Sequence, residues 1–115
     1  GGGVVSGHRY TEKECYQKAL ELNPEHDKAW YNLGTAGGGV VSGQSYTKKE
    51  CYLKALEIDP RDDMAWCDLG FEGGGVVSGQ SYTKKECYLK ALEINPKFDK
   101  AWRNLGLEGG GVVSG

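Results

Sequence analysis

The sequence has no excess of positive charge and no long apolar run. Lys and Arg total 14 against 16 Asp and Glu, and the net charge is -2. Such a balance gives no broad positive field of the kind that attracts nucleic acid or an anionic membrane. No apolar stretch approaches the roughly 20 residues that span a bilayer, and the N-terminal residues lack the basic, apolar and small-residue order of a signal peptide. We therefore expect neither nucleic acid nor a membrane among its partners.

Metal-ligand and catalytic groupings are also missing. No C-x-x-C motif occurs, and His8 and His26 have no Cys or His partners at a zinc-ligand spacing. Cys, His and Asp never come together at comparable positions, and no pair of carboxylates is repeated on an apolar face. The sequence therefore predicts a protein that is not an enzyme and that holds no metal and no cofactor.

What the sequence does contain is a strict internal repeat. Trp30, Trp66 and Trp102 are 36 residues apart. All 19 glycines follow this period, because four copies of GGGVVSG supply 16 of them and equivalent single positions supply the rest. Fixed periods of 20 to 50 residues are typical of repeat architectures. We therefore divide the chain into repeats at 1–36, 37–72 and 73–108 with a partial repeat at 109–115, in a single array over 1–115.

Each repeat contains signals for two short helices. TKKE at Thr47 to Glu50 is a capping box, which predicts a helix from Lys48 that ends before Pro60. A second helix follows, in which Gly70, four residues beyond Trp66, suits a close crossing by a neighbouring helix, and it ends at the glycines from Gly73. Apolar residues recur at helical spacing in both: Cys51, Tyr52, Ala55 and Leu56 in one, Ala65, Trp66 and Leu69 in the other. The same signals predict helices at Thr11 to Leu22, Asp27 to Ala36, Thr83 to Ile94 and Asp99 to Glu108.

These positions resemble the tetratricopeptide repeat family. Its signature of W, L and G, then an aromatic, A and P, is matched by Trp30, Leu33, Gly34, Tyr52, Ala55 and Pro60. The resemblance implies an all-α fold, an α-solenoid of stacked antiparallel helix pairs, here with glycine-rich loops between helices. Gly37 stands where the family places an aromatic residue, and the span from Gly34 to Tyr52 is two residues longer. We therefore expect a 36-residue variant whose glycine loop replaces the last turn of the first helix of each pair.

The resemblance also implies a concave groove that holds peptides or helices of other proteins. The first helix of each pair would line that groove, and the groove positions that are not glycine are also those at which the repeats differ from one another. Such variation fits a surface that recognises a partner, and it also fits drift at exposed positions. The candidate groove residues are Lys28, Tyr31, Thr35, Met64, Cys67, Phe71, Lys100, Arg103 and Leu107.

The GGGVVSG loops allow two interpretations. GGVVSGQS at Gly38 to Ser45 is one residue from the phosphate-binding pattern G-x-x-x-x-G-K-[ST], with Gln44 in place of Lys. The loop lacks that cation and follows a helix, whereas the phosphate-binding loop follows a strand, so nucleotide binding is a remote alternative. Glycine amides can nevertheless hold an anion. The structural alternative is that Val40 and Val41 fold over the open end of each helix pair and are buried there.

The cysteines are predicted to be free thiols. Cys15, Cys51 and Cys87 occupy one helical position in successive repeats. Packed helices lie about 8 to 10 Å apart, beyond the roughly 7 Å between Cα atoms that a disulfide can bridge. We expect these three thiols in the core. Unpaired cysteines favour a reducing, cytoplasmic compartment.

Two functions remain open from the sequence: an interaction scaffold for other proteins, or a structural protein that associates with itself end to end. The first and last helices have the same apolar patterns as the internal ones, without the polar capping helix that normally closes a repeat array. We therefore expect either a segment of a longer array or copies that join head to tail into filaments.

Overall fold

Residues 2–5 and 7–113 are described by the computed structural model, and they form six helices and six short strands. The chain divides into two units, Gly1–Ile58 and Asp59–Gly115. Unit 1 contains β1 (Gly2–Val5), β2 (His8–Thr11), α1 (Glu12–Leu22), α2 (Asp27–Thr35), β3 (Gly39–Val41), β4 (Gln44–Tyr46) and α3 (Lys48–Ile58). Unit 2 contains α4 (Asp63–Phe71), β5 (Gly75–Val77), β6 (Gln80–Tyr82), α5 (Lys84–Ile94) and α6 (Asp99–Leu107).

The predicted helices are all present, but the expectation of a strictly all-α fold is wrong. Each of the first three GGGVVSG segments contributes a strand to an antiparallel hairpin, and the partner strand comes from the three or four residues that follow the segment. In β3–β4, Ser42 and Gly43 connect the strands with φ of 49° and 82°. Positive φ at both central residues is the property of a type I′ turn, whose twist matches that of the paired strands. The loop between α2 and α3 is therefore an ordered hairpin.

Side-chain capping starts the helices that follow the hairpins. The Thr11 and Glu14 side chains each accept from the other residue's backbone N–H, at 3.1 and 2.9 Å. The equivalent Thr47–Glu50 pair in α3 has distances of 3.1 and 2.8 Å, and α5 begins with the same capping box. This reciprocal arrangement satisfies two backbone donors at a helix start. The capping boxes predicted from TKKE are confirmed.

Glycines end the helices that precede the hairpins. After α2, the Gly37 N–H donates to Gly34 O and the Gly38 N–H donates to Leu33 O, both at 2.9 Å. Both glycines have positive φ, 101° and 87°. Crossed bonds of this kind define a Schellman motif, which satisfies the last carbonyls of a helix. A Cβ on Gly38 would also collide with Tyr46 O in the neighbouring strand, so this position needs glycine for two reasons.

Each unit has its own apolar core. In unit 1, α2 packs against α1 and α3, and in unit 2, α5 packs against α4 and α6. The Trp30 and Trp66 indoles are buried, and each donates from Nε1 to the carbonyl of the Pro six residues earlier, at 2.8 Å. This bond explains the fixed Pro to Trp spacing of the repeat. Among the described residues, no helix is long and apolar enough to cross a membrane.

Candidate functional site

A tyrosine packed against a glycine joins α2 and α3 within unit 1. A Cβ built on Gly34 of α2 would lie 2.7 Å from Cε1 of Tyr52 and 3.1 Å from Cβ of Cys51, both in α3. Tyr52 and Cys51 are buried, with 2% and 0% of their surface exposed. Only glycine leaves room for the tyrosine ring at this crossing. The predicted close approach of a neighbouring helix at this glycine position is confirmed.

Unit 2 repeats this contact with the same residue types. A Cβ on Gly70 of α4 would lie 2.7 Å from Cε1 of Tyr88 and 3.1 Å from Cβ of Cys87 in α5. Burial, the largest cause, raises the pKa of Tyr88 to about 12. The phenol is therefore neutral at physiological pH and packs as an apolar ring.

The equivalent residues of the first and last helices, α1 and α6, have no such contact. A Cβ on Gly106 of α6 would meet no atom within 4 Å. On α1, Cys15 is exposed and Tyr16 is only half-buried. The prediction that Cys15 lies in the core is therefore wrong, because the burial of this position depends on a helix packed across it and not on its own helix. The surface of α6 around Gly106 and the surface of α1 around Cys15 and Tyr16 are called the α6 face and the α1 face below.

The tryptophans show the same difference. The Trp30 ring meets Tyr46 edge-on with centroids 4.8 Å apart, and Lys54 Nζ lies 6.0 Å from its centroid. Trp66 meets Tyr82 in the same way at 4.7 Å. Trp102 of α6 is 44% exposed, whereas Trp30 is 3% exposed. The α6 face therefore presents an aromatic ring that is buried in the other two repeats.

The candidate groove residues of unit 1 lie on α2. Lys28 and Thr35 are exposed, and the Thr35 hydroxyl donates to Tyr31 O at 3.2 Å. Tyr31 is half-buried, with its ring centroid 5.6 Å from that of Tyr52. Tyr31 therefore contributes to helix packing as well as to the surface.

The candidate residues of unit 2 lie on α4 and α6, which contact each other. Met64, Phe71 and Leu107 are 46%, 63% and 83% exposed. Lys100 forms an ion pair with Asp68 at 2.7 Å, and Arg103 forms one with Asp99 at 3.0 Å.

Cys67 differs from the other candidate groove residues because it is completely buried, and Asn104 Nδ2 lies 3.8 Å from its sulfur. Its side chain belongs to the contact between α4 and α6, where a partner cannot reach it. Burial is also the largest cause that raises the pKa of this thiol to about 11. The role of the remaining groove positions stays a prediction.

Cys51 and Cys87 fit the expectation of core thiols outside disulfides. Both are buried, and burial raises the pKa of Cys51 to about 12. None of the four cysteines, all of which lie in the described residues, forms a disulfide. Within the described part of the chain, no group of three His, Cys, Asp or Glu side chains could hold a metal ion.

A cleft of about 800 Å³ in unit 1 was not expected from the sequence. Trp30, Tyr46 and the hairpin residue Val41 line it, together with the charged side chains of Glu25, Lys54 and Glu57. Two carboxylates and one ammonium give its lining a net negative charge, which does not favour an anion. The hairpin itself offers few amides to an anion, because the Gly37 and Gly38 N–H groups already donate to backbone carbonyls.

The six helices, arranged in pairs with a repeated tyrosine-on-glycine contact, define a helical repeat protein. The sequence model of the tetratricopeptide repeat family matches residues 15–36, from α1 to the end of α2. Over these 22 of the 115 residues the chain is similar to the tetratricopeptide repeat. No curated protein matches it.

Proposed function

We propose that the chain is a non-enzymatic scaffold for protein–protein interaction. The tetratricopeptide repeat match supports a scaffold role. The observation that carries the proposal is the exposure of three large apolar side chains, Met64, Phe71 and Leu107, on α4 and α6 of unit 2. Met64 and Phe71 are seven residues apart and therefore on one face of α4. An apolar surface on adjacent helices is suited to an apolar or amphipathic segment of another protein.

We also infer that the 36-residue repeat is a variant of the family in which the hairpin takes the place of the last turn of the first helix. The Schellman motif after α2 supports this inference, because Gly37 and Gly38 end the helix at Thr35 and direct the chain into β3. The variant shortens the surface that each first helix offers to a partner. Phe71 and Leu107 are exposed at the ends of α4 and α6, and they would then provide a large part of the contact with a partner.

A displayed library of random peptides tests the proposal. Peptides selected on the chain should bind a Phe71→Ser, Leu107→Ser variant at least tenfold more weakly. The matched control is Val76→Ser, which removes an apolar side chain of similar exposure from hairpin β5–β6. Equal binding of the selected peptides to all three proteins would reject α4 and α6 as the recognition surface.

Self-association end to end is a second candidate function. The specific observation in its favour is that the α1 face and the α6 face are the uncovered halves of a contact that is complete in each unit. Gly106→Phe tests it, since the added ring has open space in the isolated chain but would occupy the place of a tyrosine from a second copy. Filaments in electron micrographs of the parent chain, absent from the variant, would support self-association. Filaments formed equally by both proteins would reject the α6 face as their contact.

A further inference from the structure

We propose that the cleft of unit 1 is a binding site for the arginine side chain of a partner protein. The cleft has a volume of about 800 Å³, within the range of roughly 300 to 1,000 Å³ that is usual for ligand pockets. The inference rests on the proposed scaffold function for the origin of the arginine, and it names the chemical group that the scaffold recognises. It concerns unit 1 alone and does not depend on the surface of α4 and α6.

The walls of this cleft come from three segments of unit 1. Hairpin β3–β4 forms one wall, α3 forms a second, and the turn before α2 forms a third. The residues of α3 that line the cleft are three and four positions apart and therefore lie on one face of the helix: Lys54, Glu57 and Ile58. The bond from Trp30 Nε1 to Pro24 O, at 2.8 Å, holds the turn against α2. The cleft is therefore shaped by the same contacts that build the repeat.

The aromatic wall of the cleft accepts a cation. Trp30 and Tyr46 meet edge-on, and Lys54 Nζ lies over the Trp30 ring, 6.0 Å from its centroid. In unit 2, the equivalent lysine, Lys90, lies over the ring of the equivalent tyrosine, Tyr82, at 5.9 Å. A cation within about 6 Å of a ring centroid is attracted by the negative face of the ring. Both units therefore place an ammonium group against this pair of rings.

The carboxylates of the cleft leave a negative charge for a ligand to balance. Glu25 and Glu57 line the cleft, and both are exposed. Within the residues that the structure describes, neither glutamate forms an ion pair, and Lys54 forms none either. Since two carboxylates face one ammonium, a ligand with a single positive charge makes the cleft neutral.

Arginine fits this lining better than a lysine does. Its planar guanidinium lies against aromatic rings and donates two parallel N–H bonds to one carboxylate. Ser42 and Gln44 of the hairpin also line the cleft, and their side-chain oxygens can accept from the remaining donors. Val41 and Ile58 supply apolar surface for the methylene stem. The cleft therefore matches each part of an arginine side chain.

Unit 2 differs at these positions by one change of charge. Each residue that lines the unit 1 cleft has an identical residue 36 positions later, except Glu25, which corresponds to Arg61. The charged set of unit 2 is therefore Arg61, Lys90 and Glu93, which does not favour a cation. The backbone N–H groups of Glu25 and Arg61 donate to the side chain two residues earlier, at 3.2 and 3.1 Å. Because these bonds do not involve their own side chains, the two residues can be exchanged without loss of the turn.

Nuclear magnetic resonance of the isotope-labelled chain tests the site, with Nα-acetyl-arginine methylamide as the probe. The indole N–H signal of Trp30 should shift saturably at millimolar probe concentrations, because this N–H is bonded to Pro24 in the wall of the cleft. The Trp66 indole signal should not shift. The citrulline analogue keeps the shape of the probe but has no charge, and it should bind at least fivefold more weakly. Equal binding of the two probes, or no response of Trp30, would overturn the proposal.

Substitution of the charged residues provides the matched controls. Glu25→Arg should weaken the Trp30 response at least fivefold, and Arg61→Glu should give Trp66 the response that Trp30 has in the parent chain. Lys54→Gln should strengthen binding severalfold, because its ammonium competes for the same rings. Weaker binding to Lys54→Gln would overturn the assignment of a cation, and equal responses of Trp30 and Trp66 in the parent would overturn the role of Glu25. None of these changes alters Phe71 or Leu107, so failure of the arginine site is distinguishable from failure of the surface on α4 and α6.

Discussion

Gly70→Ala and Gly106→Ala place one methyl group at equivalent positions with opposite surroundings. In a helix, Ala is more stable than Gly by roughly 0.5 to 1 kcal/mol, and this gain is common to both variants. At Gly70 the new Cβ would lie 2.7 Å from Cε1 and 2.9 Å from Cδ1 of Tyr88, whose ring is 1% exposed and has no free space to move into. At Gly106 the new Cβ would meet no atom within 4 Å.

Overpacking of a closed core typically costs about 1 to 3 kcal/mol. We therefore expect Gly106→Ala to stabilise unit 2 by up to about 1 kcal/mol, and Gly70→Ala to be less stable than Gly106→Ala by about 1 to 3 kcal/mol. Urea unfolding followed by tryptophan fluorescence measures this difference, at a protein concentration low enough to keep the chain monomeric. A Gly70→Ala variant as stable as Gly106→Ala would refute the tyrosine-on-glycine contact.

Four other predictions concern burial and backbone geometry. Trp66→Ala should cost about 3 to 5 kcal/mol of unfolding free energy in urea melts, and Trp102→Ala should cost less than half as much because Trp102 is 44% exposed; equal losses would contradict the assigned burial. Gly38→Ala should destabilise the chain by more than about 1 kcal/mol in the same assay, because its φ is 87° and the adjacent strand leaves no room for a Cβ; an unchanged midpoint would show that the hairpin is dispensable. Under native conditions at pH 8, a thiol reagent should modify Cys15 alone, and fast reaction of Cys51 would contradict its burial. The folded pKa of Cys51 is raised to about 12 from 9.0, so its contribution to stability is present below pH 9 and is lost as the pH rises from 9 towards 12.

Helix positions could be predicted from the sequence because their signals are local. The Thr47–Glu50 capping box depends on residues three apart, and the bond from Trp66 to Pro60 depends on residues six apart. Gly70 also indicated a close helix crossing, because the missing side chain leaves room for a neighbouring helix. Each of these features lies within one repeat and can therefore be recognised from the sequence of that repeat.

The hairpins could not be predicted by the same means. β3 and β4 have three residues each, which is too short for an alternating pattern, and their turn places Ser42 at a positive φ that serine rarely adopts. Val41 is buried as the structural interpretation of the loop expected, but Val40 is 47% exposed because neighbouring residues of a strand point to opposite sides.

The burial of equivalent residues could not be read from the repeat either. Cys15 has a sequence environment similar to that of Cys51, and Trp102 one similar to that of Trp66, yet their exposures differ. Burial at these positions is a property of the helix packed across them. The burial of the candidate groove residue Cys67 has the same cause, since its contact with Asn104 joins residues 37 apart in sequence.

Whether the α1 face and the α6 face are two halves of one contact is tested most directly by static light scattering over a concentration series of the intact chain. The apparent mass should rise steadily with concentration without reaching a plateau at a dimer, because head-to-tail contacts leave one face of each kind uncovered at every stage. Gly106→Phe should keep the monomer mass over the same series. A parent chain that stays strictly monomeric at the highest concentration would contradict the contact and leave the surface of Met64, Phe71 and Leu107 as the candidate for partner recognition.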